Sequence, residues 1–310
     1  MENSPKLVDT PKVWASLITN TGYLPGLLTL HHSLQKVGTK YPFVALYTEQ
    51  FPEEGHRALN DRGIQKRKVE YVTPAGQKDY TNDPRFYDTW TKLTVFGLLE
   101  YERAILLDGD MLVIQNMDEL MDLPLDSVEQ AGAGNKVFAA APACVCNPAK
   151  RAHYPKDWLP ENCAFTSQHS DPERAQTSGP SMQGHVNMLN SGLLVAVPSQ
   201  AVYDTISAKM LDTEALQRYD FPDQALLSDV FENRWVVLPY IYNALKTLRW
   251  KGVHDVIWRD DRAKNIHYIF SPKPWKQKPD DQKDTTDSWW HAAQQERKQQ
   301  EKTNGINDEF

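Results

Sequence analysis

With 310 residues, 40% of them hydrophobic, the chain is long enough to bury one large α/β core or two small ones. A formal charge of -7 excludes a general nucleic-acid binder, although a nucleotide ligand needs only a local positive site. Residues 1–6 lack the regions of a secretory signal, and no apolar run is as long as a membrane span, so a cytosolic protein without a membrane partner is expected.

Val13-Trp14-Ala15-Ser16-Leu17-Ile18-Thr19 reads as a buried first strand, ended by a turn or helix-cap signal at Asn20-Thr21-Gly22. Leucines at near-helical spacing predict a helix over 23–36. A second strand is expected at 43–47, a helix at 52–61, a third strand at 68–72, a helix at 88–99 and a strand at 103–107. Residues 144–189 are rich in Pro, Ser, Asn, Gln and His without a sustained period, the mark of an irregular insertion that covers a site or is disordered. A strand resumes at 191–197, followed by helices near 199–210 and 222–231. From Lys276 onward the chain is polar and reads as a solvated tail, anchored by Trp289-Trp290 through a short helix at 287–299. Alternating strands and helices predict a mostly parallel sheet covered on both faces, with ligands beyond the strand carboxyl ends.

The apolar run 104–114 is interrupted by Asp108-Gly109-Asp110. On an extended chain, residues i and i+2 share one side. Two carboxylates there need a cationic partner, and a hard divalent ion suits them. Asp-Gly is also a common turn, so that reading stays open. No Gly-x-Gly-x-x-Gly follows the first strand and no Gly-x-x-x-x-Gly-Lys-Ser/Thr occurs, which weakens dinucleotide-oxidoreductase and P-loop readings. The odd number of cysteines, Cys144, Cys146 and Cys163, favours reduced thiols. The pair at Cys144 and Cys146 does not make a zinc site, since zinc takes four ligands, and structural or incidental roles are expected.

Several pieces line up in order: Asn20-Thr21-Gly22-Tyr23, Thr91-Lys92-Leu93, Leu107-Asp108-Gly109-Asp110, Asn190-Ser191-Gly192, Asp223-Gln224, and His267 followed by Lys273-Pro274-Trp275. This set resembles glycosyltransferase family 8, the glycogenin and galactinol synthase group, over roughly residues 12–276. The resemblance implies an α/β, Rossmann-like GT-A fold with a mostly parallel central sheet. It implies one domain over 10–276 containing the 144–189 insertion, with a polar tail at 277–310. It also implies a retaining hexosyltransferase that uses a UDP-sugar and Mn²⁺, with Mg²⁺ as the other candidate ion.

On that resemblance Asp108, Asp110 and His267 are the metal ligands, and Lys273 pairs with a phosphate. Leu17, Thr19, Asn20 and Tyr23 fall where the family holds uridine. Lys92 lies near the donor sugar or phosphates, and Gly109 belongs to the donor-binding turn. Asn190 and Ser191 match positions that hold sugar hydroxyls, and Asp220 corresponds to an aspartate of the preceding segment. Asp223 and Gln224 line the reaction centre and, with Lys92, form the implied catalytic set. Arg85 is a further candidate for the diphosphate. Each has an ordinary structural alternative: a helix cap for Asn20 and Asp223, core packing for Tyr23 and His267, a surface position for Lys92 and Lys273.

Two departures bear on the reaction. Phe270 stands where glycogenin-like members commonly carry glycine between the metal histidine and the lysine. Trp250 falls near the self-glucosylation tyrosine of glycogenins. The segment 242–250 resembles galactinol synthases more closely, which implies UDP-galactose or UDP-glucose as donor and a small hydroxyl acceptor such as a polyol. A self-glycosylating initiator and a non-catalytic UDP-sugar-binding protein are the alternatives. Family members often dimerise, so a homodimer is carried as an expectation.

Overall fold

The computed structural model describes residues 10–76, 78–81, 83–277 and 284–310. Residues 1–6, and the polar run containing Pro279, Asp280 and Asp281, lie outside the described residues. In chain order the first half forms β1 (Lys12–Ile18), α1 (Leu24–Lys36), β2 (Phe43–Tyr47), α2 (Glu53–Asp61), β3 (Gln65–Lys68), the short α3 (Phe86–Thr89), β4 (Arg103–Leu107), β5 (Met111–Val113) and β6 (Phe138–Pro142). The second half forms β7 (Leu189–Ala196), α4 (Gln200–Lys209), α5 (Thr213–Arg218), α6 (Pro222–Val230), β8 (Val236–Val237), β9 (Ala244–Leu245), β10 (Asn265–His267) and α7 (Thr285–Thr303).

Among the described residues, β3-β2-β1-β4-β7-β6-β8 make one sheet. Within it β7 alone runs against its neighbours β4 and β6; the other pairings are parallel. The strands are buried on both faces, which is why they read as continuous apolar runs. Side-chain alternation divides them between two cores. Val13, Ala15, Ala104 and Leu106 face one side, while Trp14, Ile105 and Leu107 face the leucines of α1. A smaller sheet, β5-β10-β9, sits beside a third core that contains Val145, Trp158, Phe165, Tyr268 and Trp290.

Several elements differ from expectation. The third strand lies at 65–68 rather than 68–72, because backbone pairing with β2 places the polar Gln65-Lys66-Arg67-Lys68 at the sheet edge, where charge blocks further pairing. The helix expected at 88–99 is one α-turn followed by a 3₁₀ segment, Trp90–Gly97. Within it the Thr94 hydroxyl donates to the Thr91 carbonyl at 2.7 Å, competing with regular helix bonding. The insertion contains short 3₁₀ turns and no strand between β6 and β7, yet it buries Cys163 and Phe165 completely.

The largest difference is at the end of the chain. Residues 285–303 are a docked helix rather than a solvated tail, longer than the expected 287–299. Trp290 and Arg297 are buried. Arg62 donates to both carboxylate oxygens of Glu301 at 2.8 and 2.9 Å, and to both of Asp308 at 2.7 Å. Arg297 also donates to Glu301 at 2.7 Å. Lys246 reaches Asp287 in the first turn of α7 at 2.9 Å, both buried. The polar composition thus hides an apolar stripe too sparse to register as amphipathic.

Truncating a buried tryptophan costs about 3–5 kcal/mol, so Trp290→Ala should lower the thermal midpoint by several degrees; an unchanged midpoint would show that α7 is not docked. Burial raises the pKa of Glu301, but Arg62 and Arg297 outweigh it and the group titrates below its ordinary range. A carboxyl depressed in the folded state contributes stability above its unfolded pKa and loses it as pH falls through the folded value. Protection from hydrogen exchange across 285–303, corrected for the intrinsic exchange rate, should therefore fall below about pH 4.5 before the central sheet opens, and synchronous loss would contradict this.

Candidate active site

Beyond the carboxyl ends of β1 and β4 lies a cavity of about 550 Å³. Its lining includes Leu17, Thr19, Asn20, Tyr23, Lys92, Asp108, Gly109, Asp110, Asn190, Ser191, Asp223, Gln224, His267 and Lys273. Asp220 is not among the lining residues; it is only partly buried and pairs with Lys78.

The two readings of Asp108-Gly109-Asp110 describe one object. The Met111 N–H donates to the Asp108 carbonyl at 3.2 Å, closing a tight turn in place of the extended arrangement. That turn passes the chain from β4 in the large sheet to β5 in the small one. Gly26 lets α1 approach it closely, since a Cβ there would lie 2.3 Å from the Gly109 carbonyl oxygen. Antiparallel pairing of β5 with β10 sets His267 opposite Met111, and the Tyr268 N–H donates to the Asp110 carbonyl at 3.0 Å. His267 thus arrives beside the acidic turn from a distant part of the chain. Its Nε2 lies 3.3 Å from Asp110 and 3.9 Å from Asp108.

The orientation of the His267 ring follows from a chain of hydrogen bonds. The Gly192 N–H donates to Asn190 Oδ1 at 3.1 Å, and Asn243 Nδ2 donates to the same oxygen at 2.8 Å. Asn243 therefore turns its Oδ1 toward His267 Nδ1, 2.8 Å away. With Nδ1–H donated there, the Nε2 lone pair points at two carboxylates, an arrangement a cation relieves. Ligand atoms of Asp108, Asp110 and His267 all lie within 4.8 Å of one another. Two carboxylates and an imidazole suit a hard-to-intermediate divalent ion such as Mn²⁺ or Mg²⁺, so the residues fit the implied metal.

Two lysines complete the electrostatics. Lys92 sits 2.8 Å from Asp108 and 3.9 Å from Asp223. Burial works against its charge, but Asp108 and Asp223 more than offset this and raise its pKa. Lys273 is buried against Asp110 and donates to the carbonyls of Tyr268 at 2.7 Å and Ile269 at 3.0 Å; burial lowers its pKa. Burial pushes the Asp110 carboxyl up, yet the Lys273 ammonium holds it well below the usual range. Asp223 behaves oppositely, with burial raising its pKa, and its Oδ2 has no hydrogen-bond partner. It lies in the first turn of α6 without capping the helix, and its buried side chain lines the cavity beside Lys92. Gln224 Oε1 accepts the Ser191 N–H at 3.2 Å.

On the β1 side Asn20 makes no cap bond and instead donates to Thr19 Oγ1 at 3.1 Å, while Thr19 donates to Asp88 at 2.7 Å. Tyr23 packs edge-on against Trp275 with centroids 5.4 Å apart, and its hydroxyl accepts from Arg85 at 3.3 Å. Burial pushes its pKa up to about 12.

The model of the family described as Glycosyl transferase family 8 matches residues 15–278. The chain belongs to glycosyltransferase family 8. Curated relatives include an uncharacterised protein of Acanthamoeba polyphaga mimivirus, 28% identical over 83% of this chain and 80% of its own length. Galactinol synthase 1 of Arabidopsis thaliana is 24% identical over 88% of this chain and 74% of its own. Among solved structures, the galactosyltransferase LgtC in complex with donor and acceptor sugar analogs aligns with a TM-score of 0.58. It shares 15% identity and covers 92% of this chain and 95% of its own. The fold of this family 8 glycosyltransferase is GT-A.

Sequence reasoning missed Asn243, which lies 24 residues from the histidine it orients and carries no local signal. It also missed Asp88, and the insertion residues Arg151, Tyr154 and Trp158 that line the cavity. The cysteines likewise prove to be more than a pair: Cys163 and His254 join Cys144 and Cys146. Trp250 donates to Asp284 at 3.0 Å and packs against Phe270, which lines the cavity beneath the Arg151 guanidinium.

Gly192 lies directly against the ligand ring, since a Cβ there would lie 2.4 Å from His267 Cε1. Gly192→Ala should displace the ring and weaken divalent-ion binding about 10–100-fold, the range for a disturbed ligand orientation. Mn²⁺ titration followed by electron paramagnetic resonance reads this; wild-type affinity in a folded variant would remove His267 from the ligand set.

Proposed function

We propose that this family 8 glycosyltransferase is a retaining hexosyltransferase that uses Mn²⁺ and takes galactose or glucose from a UDP-sugar to a small hydroxyl acceptor such as a polyol. The observation that carries the reading is the buried acidic triad flanked by Lys92 and Lys273 at one end of a nucleotide-sized cavity. Asp108, Asp110 and His267 would hold the ion. When bound, it supplies Lewis-acid stabilisation of the charge that develops on the diphosphate. Lys273, released from Asp110, then pairs with a phosphate oxygen as a point charge. Asn20 offers an amide to the edge of uracil, and Tyr23 an aromatic face.

For the transfer we favour front-face attack. The acceptor hydroxyl oxygen bonds to the anomeric carbon, the bond from that carbon to the diphosphate breaks, and the hydroxyl proton passes to the leaving phosphate oxygen. Gln224 is poorly placed as a nucleophile, because its amide oxygen already accepts the Ser191 N–H. Asp223, with Oδ2 unpartnered, accepts a hydrogen bond from a sugar or acceptor hydroxyl, and Lys92 keeps it oriented. Arg151, Tyr154 and Trp158 form the remaining wall, and the Trp158 ring stacks on Phe221 with centroids 4.4 Å apart. Aromatic faces beside polar groups suit the C–H faces of a sugar or cyclic polyol. Three cysteines outside any disulfide accord with a reducing compartment, and no described helix is long and apolar enough to cross a membrane.

UDP release from a panel of UDP-sugars, with Mn²⁺ or EDTA and with or without myo-inositol, tests the proposal. Mn²⁺-dependent release from UDP-galactose or UDP-glucose should rise when the polyol is present, and Asp110→Ala should abolish it in a folded protein. Release indifferent to polyols would overturn the acceptor. UDP binding without release from any sugar would leave a non-catalytic binding protein, and hexose on the purified chain by intact mass would indicate self-glycosylation.

A further inference from the structure

A second set of metal-type ligands stands apart from the acidic triad. Cys144 and Cys146, at the start of the insertion, meet Cys163 and His254, with ligand atoms all within 4.8 Å of one another. His254 Nε2 lies 3.1 Å from Cys146 Sγ and 3.3 Å from Cys163 Sγ. Cys163 and His254 are fully buried, and none of the cysteines is in a disulfide. Hydrogen bonding alone serves this arrangement poorly: a single imidazole nitrogen faces two thiols, which are weak donors. On the far side of the ring, His254 Nδ1 lies 2.8 Å from His169 Nε2.

We propose that these four residues form a structural zinc site. Zinc binds thiolate at about 2.3 Å and imidazole at about 2.0–2.1 Å. A tetrahedron of those lengths needs S···S near 3.8 Å and S···N near 3.5 Å; two sulfurs stand 3.1 and 3.3 Å from Nε2, and no ligand atom is more than 4.8 Å from another. Three thiols give up their protons to solvent as thiolates bind the ion, and the imidazole binds neutral through Nε2. The His254 Nδ1–H donated to His169 fixes that tautomer, the usual role of a partner behind a metal-bound histidine. Four protein ligands leave no open position, so the site is structural rather than catalytic.

The fold explains what the ion holds together. The insertion has no strand of its own and crosses from β6 to β7 by short turns. A zinc ion ties its start to Cys163 inside it and to His254 in the segment before β10. Arg151, Tyr154 and Trp158, which line the cavity, lie between Cys146 and Cys163 and are fixed by that closure. The zinc assignment does not depend on the donor or acceptor proposed above.

Full-length protein purified without added metal and washed with chelator tests the site. Elemental analysis should find about one zinc per chain, X-ray absorption should show three sulfurs and one nitrogen, and a mercurial should release the ion as the thiols react. Cys163→Ser should lose at least nine-tenths of the zinc, whereas Asp110→Ala should keep it. His169→Ala, which spares every ligand, should weaken zinc retention against a competing chelator about 10–100-fold. Because replacing a buried cysteine threatens folding, the wild-type absorption spectrum decides independently. A disulfide between any two cysteines, zinc-free folded protein, or zinc surrounded only by oxygen and nitrogen would overturn the proposal.

Discussion

The structure turns on the cost of placing Asp108, Asp110 and Asp223 in one partly closed space. Burying carboxylates is tolerable only where cations and hydrogen-bond donors meet them. Lys92 bridges Asp108 and Asp223, and Lys273 takes Asp110. Neither lysine is a free surface charge. Two ammonium groups against three carboxylates still leave the site electron-rich, with an imidazole lone pair directed into it. A divalent cation together with a diphosphate, the occupants proposed above, would neutralise each other in such a place.

That arrangement is supported from behind. The β5–β10 register sets His267 beside the acidic turn, and the Asn190–Asn243 pair fixes its ring. The segment that carries Lys273 is held by Trp275, whose indole N–H donates to the Gly22 carbonyl at 2.9 Å and whose ring meets Trp290 of α7. Tyr268 donates to the Thr286 carbonyl at 2.6 Å. The terminal helix therefore buttresses the Lys273 end of the cavity, although none of its residues lines it. Its ion pairs join α2 and α7 around the outside of α1, so docking energy gained far from the site restrains the loop that bears the lysine.

Much of this was legible because the central strands are buried on both faces. Phe43–Tyr47 and Arg103–Leu107 have unbroken apolar runs with sharp ends, and both were placed to the residue. Gln65–Lys68 was not, because an edge strand is defined by backbone pairing that its charged side chains do not report. Phe138–Pro142 was silent for another reason: alanine carries little strand preference, and only packing between β7 and β8 makes the segment extended. α7 was misread because its burial rests on a few large side chains and on buried ion pairs rather than on a broad apolar face. Residues of the cavity that lie within short motifs could be named in advance through their resemblance to a family. Asn243, His254 and Cys163 could not, since each acquires its partner through tertiary contact across tens of residues.

The two histidines present two different donor sets to the two proposed metal sites. His267 and His254 each commit Nδ1 to a side chain and present Nε2 to a ligand cluster. The companions of His267 are carboxylates, hard oxygen donors at the edge of a cavity, with room for water or phosphate to complete the shell. Those of His254 are thiols packed within a core, and with four ligands the shell is closed. Zinc prefers the second by softness as well as coordination number, while Mn²⁺ and Mg²⁺ gain little from sulfur. The thiol cluster lies in the insertion that supplies Arg151, Tyr154 and Trp158 to the cavity wall, and the acidic turn lies at the end of β4, so the two donor sets sit on different walls of the same site.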